Sequence, residues 1–177
     1  NERQYKALIF KAPGTDLEVG LPEGHIWRGG SAVSEKGITF NPNMPTEEVF
    51  CLPHKYQVNG VVTSTMPLNY GGSLIENFSL TFKAEKGEEV LKHLLDTDEG
   101  SRRLGEVALV PHDSPVSQSG LIFYNTLFDE NASCHLALGK AYPTNLKNGS
   151  HMNEKELDEH WRTASPRHLR PTSRACE

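Results

Sequence analysis

Turn-forming residues cut the first half of this chain into short pieces. Through residue 83, clusters of Gly, Pro, Asn and Asp recur about every 8–12 residues, the spacing of a β-rich fold. Between them lie YKALIFK (5–11), ITF (38–40), VVTSTMPL (61–68) and LIENFSLTF (74–82), rich in β-branched and aromatic residues. Such runs suit a pleated, half-buried surface and are too short for a packed helix, so they are predicted strands. With 15 Gly, 11 Pro and 36% hydrophobic residues, the chain can bury a core of modest size.

The pattern changes after residue 83. AEKGEEVLKHLLDTD (84–98) places Val90, Leu91, Leu94 and Leu95 at helical spacing, with charge on the other side. In LGEVALVP (104–111), Val107 to Val110 form a compact apolar run stopped by Pro111, the signature of a buried strand. ENASCHLALGKAY (130–142) reads as a helix or as an extended buried segment, and MNEKELDEH (152–160) as a helix with little apolar face. The expected class is α+β, a mixed or antiparallel, sheet-rich domain with a few helices. No internal repeat is visible.

Charge and cysteine content exclude several functions. A net charge of -5 over 177 residues argues against a nucleic-acid surface. No apolar run approaches the roughly 20 residues that cross a bilayer, so no membrane partner is expected. Cys51, Cys134 and Cys176 are too few and too irregular for a disulfide framework. A reduced, cytoplasmic protein is the expectation. The end differs from the rest: of eight Arg, Arg162, Arg167, Arg170 and Arg174 fall in the last 16 residues, where no Lys occurs. Residues 161–177 are therefore expected to be an atypical, disordered tail after a domain spanning 1–160.

A few polar groups stand in apolar or turn contexts. Glu106 adjoins VALVP, where a carboxylate is costly unless paired or metal-bound. His135 lies in SCHLALG, and Glu47 and Glu48 follow the turn PNMPT. Two or three acids and an imidazole suit Zn, Co, Mn or Mg. The alternatives are ordinary: Glu106 paired with a nearby cation, His135 packed in the core, and Thr46-Glu47-Glu48 opening a helix. A thiol nucleophile at Cys134 is disfavoured, because adjacent residues rarely aim at each other. His112-Asp113 has turn chemistry and supports its own loop.

Longer words carry more information. FKAPGTDL (10–17), LPEGHIW (21–27), NPNMPTEEVF (41–50), GVVTSTMPLNYGG (60–72), LIENFSLTF, LGEVALVPHDSP (104–115) and FYNTLFDENASCHLALGKAYPTNL (123–146) occur in this order. Together they resemble the bacterial metallo-aminopeptidase family of aminopeptidase T, aminopeptidase S and PepS, from about residue 5 to 160. The resemblance implies a C-terminal catalytic domain, incomplete at both ends, without its N-terminal partner domain. It implies a two-metal hydrolase, using Zn, Co or Mg, that releases N-terminal residues from peptides with a free amino terminus. It also implies a homodimer in the intact family. The family's ligands are two Glu, two His and an Asp, with a Tyr nearby. Glu48, favoured over Glu47 by its interval to the next ligand, Glu106 and His135 fall on three of them. Tyr142 falls on the Tyr, as an oxyanion donor, and Glu47 remains as a neighbour to handle protons.

Two departures from the family follow. Relatives carry an additional turn and apolar strand between SLTF and AEKGEE, so here SLTF is expected to run straight into the helical segment, leaving a sheet edge bare. The family's closing His-x-Asp is also missing. At family spacing its positions fall on Pro166 and His168, and no His-x-Asp occurs after Tyr142. In another reading frame, codons for Thr163-Ala164-Ser165-Pro166 encode Asp-Ser-Leu-Thr, the family's words, so a frameshift near residue 160 is expected to have produced the tail. An inactive remnant that binds at most one metal is then the alternative to an active peptidase.

Overall fold

A computed structural model of the chain describes residues 1–41, 46–70, 72–83, 86–88 and 103–162. The strands are β1 (Ala7–Ala12), β2 (Thr15–Gly20), β3 (Arg28–Gly29), β4 (Ala32–Val33), β5 (Thr39–Phe40), β6 (Val49–Cys51), β7 (Val58–Thr63), β8 (Leu68–Tyr70), β9 (Ser73–Ile75), β10 (Ser79–Lys83), β11 (Lys86–Glu88), β12 (Leu104–Leu109) and β13 (His135–Leu138). Among the described residues, three α-helices follow β12, α1 (Pro115–Ser119), α2 (Thr126–Asp129) and α3 (Glu154–Arg162), with short 3-10 turns between them. The class is α+β, as expected, and the ladders are antiparallel.

Two sheets share one core. The larger has the order β1-β2-β7-β10-β11 and the smaller β13-β12-β6-β3. In β2, TDLEVG alternates Asp16 and Glu18 with the fully buried Leu17 and Val19. These two, with Val58 of β7 and Phe82 of β10, join Cys51 of β6 and Leu104 and Val107 of β12 in one apolar cluster. Gly60 in β7 is required by this packing. Its φ is +116°, and a Cβ there would stand 2.0 Å from the Asp16 carbonyl oxygen.

The bare edge expected after SLTF is not present. Lys86–Glu88 pairs with β10, Phe82 opposite Gly87, so the first residues of the predicted helix serve as an edge strand. Gly87 is a weak helix former, and pairing satisfies the backbone groups of β10. The remainder of that predicted helix, with Val90, Leu91, Leu94 and Leu95, lies outside the described residues. LIENFSLTF also divides into β9 and β10, because Asn77 adopts a left-handed φ of 54°.

The first two residues of the expected tail belong to a helix. Trp161 and Arg162 close α3. Asn153 and Glu156 cap this helix reciprocally: the Asn153 side chain accepts from the Lys155 and Glu156 N–H groups, and Glu156 accepts from the Asn153 N–H. Leu157 and Trp161, four residues apart, pack against the core. The Trp161 indole donates to the Pro53 carbonyl, and Lys55 pairs with Asp158 with its ammonium 5.5 Å from the Trp161 ring. Residues 163–177, and the His-x-Asp question with them, lie outside the described residues.

Candidate metal centre

The smaller sheet builds the site. Across it, Arg28, Phe50, Ala108 and His135 stand opposite one another in a single row. Directly opposed residues of antiparallel strands project to the same side, and alternation sends Cys51, Val107 and Leu136 to the core side. Glu106 lies two positions from Ala108, and Glu48, two positions before Phe50, enters from the extended segment ahead of β6. The predicted helix start at Thr46-Glu47-Glu48 is not formed. Instead the Thr46 hydroxyl accepts from the Glu48 N–H at 3.2 Å.

A bulge sets the aim of Glu106. The register of β12 against β13 shifts between Leu104 and Glu106. The extra residue lets Leu104 join Val107 in the core while Glu106 faces the other way. That residue is Gly105, where a Cβ would stand 2.7 Å from the Gly139 carbonyl oxygen and 2.9 Å from that of Lys140.

The side chains converge on one nitrogen. His135 Nε2 lies 3.5 Å from Glu106 Oε1 and 3.7 Å from Glu48 Oε2. All three side chains are largely buried, at 11–17% exposure. His135 Nδ1 is 3.1 Å from the Ser133 carbonyl, which can only accept, so the proton on that nitrogen is fixed there. A neutral imidazole would then aim its Nε2 lone pair at two carboxylates. Burial pulls the imidazolium down, but the hydrogen bond to Glu106, that to Ser133 and the charges of Glu48 and Glu130 outweigh it, and the His135 pKa is raised. Burial pushes the Glu48 carboxyl up, opposed by the His135 charge and reinforced by that of Glu106.

Glu130 is a further acid that sequence reasoning missed. Its carboxyl is pushed up by burial first; the His135 charge opposes this, and the charges of Glu48 and Glu106 reinforce it. A short 3-10 turn, Glu130–Ala132, carries it, anchored by buried Asn131, whose amide donates to the Leu127 carbonyl at 2.9 Å. The preceding loop is braced by Asp129, whose carboxylate accepts from the N–H groups of Phe123 and Asn125. An acid directly before the small residues Asn-Ala-Ser-Cys was the available signal.

The other two expected residues are placed differently. Glu47 is exposed and forms no ion pair with His135. Tyr142 is 61% exposed, its ring meeting Phe50 edge-on at 6.4 Å between centroids. Cys134 turns away from the site: its thiol donates to the Val110 carbonyl.

The donor chemistry fits a divalent cation. Carboxylate oxygens and an imidazole lone pair gather, among the described residues, with no Lys or Arg paired to them, and either a proton or a metal ion relieves their repulsion. Among the described residues, no three His, Cys, Asp or Glu stand ready as a closed metal-binding group. In the arrangement seen, the imidazole itself takes the two carboxylates.

Known proteins carry the same segments. Residues 1–170 match the family model for thermophilic metalloprotease (M29). Aminopeptidase 2 of Geobacillus stearothermophilus is 63% identical over 166 residues, 89% of this chain and 40% of that protein. Aminopeptidase T of Thermus thermophilus is 56% identical over 155 residues, 83% of this chain and 38% of that protein. The solved structure of wild-type AmpT from Thermus thermophilus superposes with a TM-score of 0.76 at 55% identity, covering 85% of this chain and 40% of that one. The chain thus spans about two fifths of the length of these relatives. With the resemblance read from its words now met along nearly its whole length, the chain belongs to the M29 family of thermophilic metalloproteases.

Proposed function

We propose that this chain forms the metal-binding part of an aminopeptidase that removes N-terminal residues from peptides. The single observation that carries the reading is the convergence of Glu48 and Glu106 on His135 Nε2, whose other nitrogen is committed to Ser133. Glu48, Glu106 and His135 would hold a divalent ion (Zn, Co or Mg), with Glu130 as a further acid and two ions per site in the intact protein. When bound, such ions supply a water of lowered pKa and a Lewis acid at the scissile carbonyl.

The chain's own residues provide the remaining functions. The acids attract the ammonium group of a free amino terminus. Tyr142, exposed beside Phe50, offers a hydroxyl to a developing oxyanion, and exposed Glu47 is the adjacent proton carrier. A cytoplasmic homodimer acting on peptides, with neither nucleic acid nor membrane as partner, completes the reading. Among the described residues, no helix is long and apolar enough to cross a membrane.

A second reading, an inactive remnant that binds at most one metal, is favoured by the missing His-x-Asp after Tyr142. One experiment separates the two. The purified chain is supplied with Zn or Co, and hydrolysis of a leucyl chromogenic amide is followed beside metal stoichiometry. Turnover that is lost in Glu106→Gln and His135→Ala supports the peptidase. One metal or less per chain without turnover supports the remnant, and turnover unaffected by both substitutions overturns the site.

A further inference from the structure

The row that ends at His135 begins, on the far edge of the same sheet, with Arg28. Opposed pairing from β3 through β6 and β12 to β13 puts Arg28, Phe50, Ala108 and His135 on one side of the sheet. Three strand spacings separate the two ends, roughly 14 Å from backbone to backbone. Arg28 is exposed, yet its direction is set: Nε donates to the Thr144 carbonyl at 2.7 Å. Thr144 follows Tyr142 by two residues, and the Tyr142 ring meets Phe50, the neighbour of Arg28 in the row. Asn145 ties this corner down from below, donating to the carbonyls of Ile26 and Phe50. Among the described residues the guanidinium makes no ion pair, and its outer N–H groups donate to nothing.

One side of the sheet therefore has an anionic end at Glu48, Glu106 and Glu130 and a fixed cationic end at Arg28. A peptide carries the complementary charges, an ammonium at one terminus and a carboxylate at the other. An extended chain spans at most about 3.5 Å per residue, so three residues cover roughly 10 Å. The side chains at the two ends of the row, rather than their backbones, would hold the peptide, which leaves a span of this order to cover. We propose that Arg28 receives the C-terminal carboxylate of a short peptide whose amino terminus lies at the Glu48–Glu106–His135 cluster, and so selects substrates of about three residues. Planar guanidinium and carboxylate groups can meet through two parallel hydrogen bonds, which fixes length as well as charge. This rests on the aminopeptidase reading for the amino-terminal end.

The test separates binding from turnover. A Leu-Gly-Gly analogue whose first peptide bond is reduced to CH2–NH cannot be hydrolysed. It is titrated calorimetrically into the Zn-loaded chain as the free acid and as the C-terminal amide. The acid is expected to bind about tenfold or more tightly than the amide, the usual worth of a charged hydrogen bond. Arg28→Gln erases that ratio, Arg28→Lys keeps part of it, and a five-residue analogue shows none because its carboxylate lies out of reach. Equal affinities for acid and amide, a ratio that survives Arg28→Gln, or no binding of either peptide overturns the proposal. Failure of the leucyl chromogenic amide to turn over overturns the aminopeptidase reading alone, since the acid-to-amide ratio is read without hydrolysis.

Discussion

His25 is a buried histidine whose charged form is disfavoured. It is 2% exposed, its Nδ1 donates to the Pro22 carbonyl at 2.9 Å, and among the described residues its Nε2 has no hydrogen-bond partner. Burial lowers its pKa below 6.5; the Pro22 bond partly offsets this, and the chain's amino terminus lowers it further. The unfolded chain therefore binds a proton at a higher pH than the folded one. Stability rises with pH across that window and is lost as pH falls below about 6.5 toward the folded value. Urea midpoints at about pH 7.5 and pH 5.5 are expected to differ more in the native sequence than in His25→Phe, whatever the offset between the two proteins. An equal pH response in both would remove His25 as the cause. The role of His25 was not legible in the residues around it, and that of Glu130 only in the small residues that follow it; both groups take their charge properties from distant segments. Cys51 is another such case, its thiol pushed up to about 12 by burial and so a core residue without nucleophilic use.

At the level of elements, the bulge in β12 is the most exacting feature. Gly105→Ala would force a methyl group against the carbonyls of Gly139 and Lys140. Overpacking of this kind costs about 1–3 kcal/mol and would also turn Glu106 off His135. The variant should lose Zn affinity by more than its fall in urea midpoint explains; equal affinity with lowered stability would show that the bulge serves packing alone. Turn spacing and short runs of β-branched, aromatic or apolar residues made several strands legible, among them β1, β7, β10 and β12. Their partners were not, because register is decided by contacts between segments far apart in the chain. The choice between helix and strand at ENASCHLALGKAY fell between the two: a 3-10 turn at Glu130–Ala132 and a strand at His135–Leu138. The convergence of Glu48, Glu106 and His135 came through the family resemblance; local pattern alone left each with an ordinary reading.

At the scale of the whole molecule, the smaller sheet joins parts of the chain that are remote from one another. Residue 28 pairs with 50, 51 with 107, and 108 with 135. Ladders between such distant segments close late, because the entropy of the intervening loops must be lost before the pairs form. The cluster at His135 thus exists only after the last of these ladders is in place, so a divalent ion has nothing to hold in the transition state for folding. Its binding should leave the refolding rate near that of the metal-free chain and slow unfolding by about the factor 1 + [Zn]/Kd. Stopped-flow traces with and without Zn read both limbs, and an accelerated refolding limb would show the cluster forming early instead. The same strand order that brings the acids together makes the metal a lock on the finished sheet, effective against leaving the native state and without effect on reaching it.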